Sequence, residues 1–158
     1  MNNRYKKDCA DCLSRRALLR GGVAVGAGTL AAAALPVGCM QADSPPAGPV
    51  AAGTVADIQV GMLKLIDGES VVLARDQEGL YAMTRVCTHQ GQLVSLITAG
   101  GVPALHCYGH GSEFNMAGAV TRGPAERALD HFRVEVAAGN ITIHADQVVS
   151  ADTRTSQD

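Results

Sequence analysis

Cys87-Thr88-His89-Gln90-Gly91 and Cys107-Tyr108-Gly109-His110-Gly111-Ser112 are the two stretches on which the reading of this chain turns. Each pairs a thiol with an imidazole, and the two pairs stand about twenty residues apart. Thiolate is a soft ligand and imidazole a borderline one. Two of each suit a tetrahedral zinc ion. They equally suit a [2Fe–2S] centre in which histidines replace the cysteines of one iron. Spacing alone leaves both open. The neighbouring residues favour the second: Gly91, Gly109 and Gly111 let the backbone come close to sulfide and adopt conformations closed to a Cβ. A zinc ion calls for neither these glycines nor Ser112.

Outward from these boxes the chain reads as β-structure. Short runs rich in Val and Ile at 55–60, 62–66, 70–75, 81–85, 104–106, 131–136 and 141–144 alternate with turn signals. The turns are Asp67-Gly68, Glu78-Gly79, Gly100-Gly101, Gly118 and Gly139-Asn140. In Phe132-Arg133-Val134-Glu135-Val136 apolar and charged residues alternate, the pattern of a strand with one buried face. Gly139-Asn140 suits a two-residue hairpin between the last two strands. Many short strands with frequent turns imply an all-β fold, a small antiparallel sandwich or barrel. A domain of this size buries only about 60–65% of its unfolded surface. A metal group held by four protein ligands would supply the stability it lacks.

The two boxes, in this order, resemble the cluster-binding boxes of the Rieske iron–sulfur family, over roughly residues 54–145. The resemblance implies a Rieske-type β-fold with two cluster-binding loops at one end and one [2Fe–2S] cluster per subunit. Cys87 and Cys107 would hold the inner iron, and His89 and His110 the outer one. It also implies where the chain departs from the family's quinol-oxidising members. Those members carry a further cysteine in each box, joined as a disulfide; here Gln92 and Gly109 stand instead. Ser112 occupies the place of a hydroxyl that bonds a bridging sulfide. Phe114 replaces a tyrosine that bonds a cysteine sulfur, and Tyr108 replaces a proline. One of two tuning hydroxyls is thus kept, which implies an intermediate reduction potential. Gly123-Pro124-Ala125 matches a loop that covers the cluster.

The N-terminal part carries an address. Ser14-Arg15-Arg16-Ala17-Leu18-Leu19-Arg20 precedes an uncharged run over 21–37 and resembles a twin-arginine export signal. A pathway that moves folded proteins suits a cofactor inserted before export. Leu35-Pro36-Val37-Gly38-Cys39 resembles a lipoprotein processing site, so three fates stand open: cleavage, lipidation at Cys39, or retention as an anchor. Cys9 and Cys12 have no assigned role. The expected organisation is a signal or anchor over 1–40 and a Pro-, Ala- and Gly-rich linker over 41–53. A Rieske domain over 54–146 and a disordered tail over 147–158 follow.

Charge and composition narrow the function. The 158 residues carry a formal net charge of −2, which gives nucleic acid no basic footprint. Aromatic residues are 3% and tryptophan is absent, so no aromatic stacking platform is expected. No carboxylate pair or Ser–His–Asp order suggests catalysis by the chain alone. His106, His131 and His144 read as strand or surface histidines. The expectation is an exported one-electron carrier at the periplasmic face of the inner membrane, with a redox protein as partner. It would serve a quinol–cytochrome type respiratory chain, or be the small subunit of an exported oxidoreductase such as arsenite oxidase. A structural Cys2His2 zinc domain is the alternative of another class. A ferredoxin feeding a ring-hydroxylating oxygenase fits less well, because such systems draw on cytosolic NAD(P)H.

Overall fold

The computed structural model describes residues 43–156. The export signal, Cys9, Cys12 and Cys39 lie outside the described residues. Ten strands form two antiparallel sheets, and no α-helix occurs among the described residues. They are β1 (Pro49–Thr54), β2 (Met62–Leu65), β3 (Val71–Arg75), β4 (Leu80–Thr84), β5 (Ser95–Ala99), β6 (Val102–His106), β7 (Glu113–Phe114), β8 (Val120–Arg122), β9 (His131–Ala137) and β10 (Asn140–Val149). The larger sheet has the order β1-β10-β9-β4-β3-β2, and the smaller runs β5-β6-β7-β8. This is the antiparallel all-β fold that the turn-punctuated sequence implies.

The period-two geometry of a strand explains how one sheet serves two cores. Val71 and Leu73 of β3, with Leu80 and Ala82 of β4, point into a core shared with Phe132, Val134, Ile141 and Ile143. Val72, Ala74, Tyr81 and Met83 point the other way, into a core shared with Leu105, Phe114, Cys87 and Cys107. Strands β3 and β4 are therefore apolar on both faces, which is why their sequences show no alternation. The first core also takes Val50 and Ala52 from one edge of the sheet and Ile66 from beside the other, so the sheet curls around it.

Several expected boundaries shift, each for a local reason. Residues 55–60 do not form a strand. Asp57 accepts hydrogen bonds from the Thr54 N–H (2.8 Å) and hydroxyl (2.9 Å). These local bonds compete with sheet pairing, and Val55–Asp57 forms a short 3-10 turn. The domain begins before residue 54, because β1 lies inside the expected linker and pairs with β10. Strand β5 was not anticipated; it pairs with β6 across Gly100-Gly101, both at positive φ as a tight hairpin requires. The last hairpin turns at Ala138-Gly139, one residue earlier than expected, with Ala137 opposite Asn140.

The C-terminal stretch is not a disordered tail. Strand β10 runs on to Val149, and Thr155 then pairs with Leu80 through two backbone hydrogen bonds of 3.0 and 2.9 Å. The Thr155 hydroxyl donates to the Val134 carbonyl (2.8 Å). Arg154 pairs with Asp76 at 2.6 Å and lies 3.9 Å over the Tyr81 ring. Gly79 makes room for this strap, since a Cβ there would meet the Thr155 carbonyl oxygen at 2.6 Å.

Candidate metal centre

The two boxes fold as matching loops. The first sits on a stem closed by the Val86–Leu93 bridge, and the second on the His106–Glu113 pair of β6 and β7. In each, the cysteine N–H donates to the carbonyl of the fifth residue on, Cys87 to Gln92 and Cys107 to Ser112, both at 2.8 Å. The glycine four residues on donates back to the cysteine carbonyl, Gly91 to Cys87 at 2.9 Å and Gly111 to Cys107 at 2.8 Å. Gly91 and Gly111 sit at φ 75° and 80°, which a side chain would strain. One backbone design is used twice.

These loops bring the four candidate ligands together in two tiers. Cys87 and Cys107 are buried in the second core at 2% and 1% exposure. His110 is exposed and His89 half-buried, with their rings edge-to-face at 4.8 Å between centroids. His89 Nδ1 is buried without a hydrogen-bond partner. Such an orphaned atom is costly, and a metal bond would satisfy it. A two-and-two arrangement, thiols below and imidazoles above, fits a binuclear group better than one tetrahedral zinc. The residues present therefore fit a [2Fe–2S] cluster.

Ser112 is fully buried between the loops. Its oxygen accepts the Ala125 N–H at 3.0 Å, and its hydroxyl stands close enough to Cys87 to favour that residue's thiolate. Burial pushes the Cys87 thiol up, and Cys107 beside it adds to the rise. The His89 N–H and the Ser112 hydroxyl act in the opposite sense. A proton must leave each thiol when a metal binds, and the Ser112 hydroxyl then favours the Cys87 thiolate. Phe114 lies wholly buried in the core beneath and offers no hydroxyl.

The stretch after β8 lies across both boxes. Ala125 is tied to Ser112 of the second, while the Thr88 hydroxyl of the first donates to the Arg127 carbonyl at 2.6 Å. An open cleft beside His89 is lined by Thr88, Pro124, Glu126 and Arg127. The chain preceding β1 also reaches the site, since the Asp43 N–H donates to the Gly91 carbonyl at 2.9 Å. Neither that contact nor the Thr88 bond left a mark in the sequence, because each joins segments far apart in the chain. The remaining histidines lie in strands, as expected: His106 faces Glu113 (3.5 Å), His144 faces Glu135 (3.2 Å), and His131 stacks on Tyr81.

A family model for the Rieske [2Fe-2S] domain matches residues 48–133. The chain belongs to the Rieske family. Relatives include the cytochrome b6-f complex iron-sulfur subunits of Prochlorococcus marinus, 31% identical over 68% of this chain, and Chlorobaculum tepidum, 27% identical over 60%. The chain spans 61% and 52% of the length of those two relatives. Among solved structures, the plasma membrane Rieske protein PetC3 from Synechocystis PCC 6803 is 30% identical, with a TM-score of 0.47. That match covers 60% of this chain and 97% of the other. The chain thus carries a Rieske domain, which implies a [2Fe–2S] cluster, and the zinc reading is set aside. When bound, the cluster supplies reversible one-electron chemistry.

Proposed function

We propose that Cys87, Cys107, His89 and His110 ligate the cluster, with Ser112 hydrogen-bonding at its sulfur side. In this reading the chain is an exported one-electron relay serving a quinol–cytochrome type respiratory chain. The observation that carries the relay is the asymmetry of the site. Its thiols are buried in the core, whereas His110 is exposed at the loop tip beside Tyr108, which is 74% exposed. Electrons would therefore enter and leave at the imidazole edge, against a redox protein. The relatives' membership of cytochrome b6-f complexes supports a quinol–cytochrome setting. The twin arginines at Arg15 and Arg16 support export.

Imidazole ligation makes the cluster less negative than four thiolates would, so accepting an electron costs less. Ser112 raises the potential further, while Phe114 gives no second hydrogen bond. The potential proposed is intermediate within the roughly −150 to +300 mV range of such centres. A redox titration followed by electron paramagnetic resonance tests it: a midpoint at either extreme of that range overturns the proposal. Replacing Arg15 and Arg16 by Lys should hold the protein in the cytoplasm, and undiminished export would remove the twin-arginine part.

A further inference from the structure

The likeness of the two ligand loops extends to the residue that closes each. Gln92 and Ser112 occupy the same place, five residues after the cysteine, and each returns its carbonyl to that cysteine's N–H. In the second loop this residue's side chain turns inward, where the buried Ser112 oxygen accepts the Ala125 N–H at 3.0 Å. In the first loop it crosses to the second. The Gln92 amide fills the space above Gly109: a Cβ on Gly109 would collide with Gln92 Oε1 and Cδ and stand 3.0 Å from Nε2. Gly109 is not among the glycines at positive φ, so its backbone does not require glycine. The approach of Gln92 does.

We propose that Gln92 is a positioning residue of the metal centre, the counterpart of Ser112, whose amide on Gly109 holds the His110 loop against the loop of Cys87 and His89. Its backbone is pinned to Cys87 and its side chain reaches the residue next to His110, so it spans the two ligand loops directly. The span matters because Tyr108, Gly109 and His110 are all exposed. Their placement rests on few contacts: Tyr108 on His106 at 4.6 Å, His110 on His89 at 4.8 Å, and Gln92 on Gly109. A buried serine fixes the thiol side, and a glutamine clasp fixes the imidazole side.

The test uses the cluster-loaded protein and three variants: Gln92→Ala, Gly109→Ala and the double substitution. Each single change should alter the g-values of the reduced cluster, which report ligand geometry. Each should also shorten the half-life of the cluster in chelator by about fivefold, the scale of an ordinary point substitution that loses one packing contact. The double variant should be no worse than Gln92→Ala, because the added methyl enters the space that the truncation empties. Where Gly109→Ala alone fails to load, the double variant should load as Gln92→Ala does. Unchanged g-values and half-life in Gln92→Ala, or a double variant showing the sum of both defects, would overturn the proposal.

Discussion

The six-stranded sheet and the four-stranded sheet are stabilised by different means. The larger encloses its own core, where Leu73, Leu80, Ile143 and Val71 are wholly buried. The smaller consists of short strands, two residues in β7 and three in β8, and β5 buries none of its five. Its interior contribution is Ala104, Leu105 and Phe114, with Cys107 beside them. Apolar burial can carry the first sheet unaided. The second is the one expected to gain from the group its loops are proposed to ligate, because a group bound only by the folded form stabilises that form.

Cys107→Ser breaks this comparison most severely. It should abolish cluster assembly, and hydrogen exchange should then show protection lost across β5–β8 while β3, β4, β9 and β10 keep theirs. Uniform loss over both sheets would mean that the halves unfold as one. Ile143→Ala is the reverse experiment. It should cost about 2–5 kcal/mol by chemical denaturation, as large-to-small core changes do, yet leave the paramagnetic spectrum of the folded protein unaltered.

Ser112→Ala should leave the fold in place and lower the midpoint by on the order of 100 mV. A hydrogen bond to a charged sulfur is worth about 1.5–3 kcal/mol, and about 59 mV corresponds to a tenfold change for one electron. Arg154→Ala, in the C-terminal strap over Tyr81, should cost about 1 kcal/mol through the lost ion pair and ring contact. It should not move the potential.

The smallest effects are in pH dependence. Burial alone would raise Asp76. The Arg154 guanidinium and the Glu78 and Gly79 N–H groups outweigh it and hold the carboxyl below its usual range. Its contribution is therefore full above the unfolded value near about 4 and is lost as pH falls through the folded value. Burial lowers His131, against the pull of the Ala117 carbonyl at 3.0 Å. The unfolded chain then takes up this proton first, so stability declines as pH drops below about 6.5 and levels off under the folded value. Thermal melts of wild type, Asp76→Asn and His131→Asn between pH 3 and 8 should separate the two. A His131→Asn profile identical to wild type would remove the second.

How far the sequence could be read follows the range of the interactions. Strands β9 and β10 are legible from period two, and β2, β3 and β4 as apolar runs between turns, because both signals are written in neighbouring residues. The Gly100-Gly101 hairpin is written in the sequence whereas β5 before it is not, and 55–60 reads as a strand because an Asp57 cap looks like any exposed carboxylate. The strap at Arg154 and Thr155 gave no signal, since polar residues at a chain end read as a tail until their partners, Asp76 and Leu80, are known.

The sequence by itself supplied the proposed donor set, Cys87, His89, Cys107 and His110, and it determined the β class. Donor chemistry and strand periodicity are properties of residue type and local order, which need no coordinates. Tertiary structure alone decided the rest. It sank the thiols and lifted the imidazoles, turned β3 and β4 into a wall between two cores, and buried Ser112 against Ala125. It also set the Gln92 amide on Gly109, a packing contact across seventeen residues at the two positions where the resemblance places a disulfide. Which side chain fills the space above a glycine is settled only by how the two loops pack.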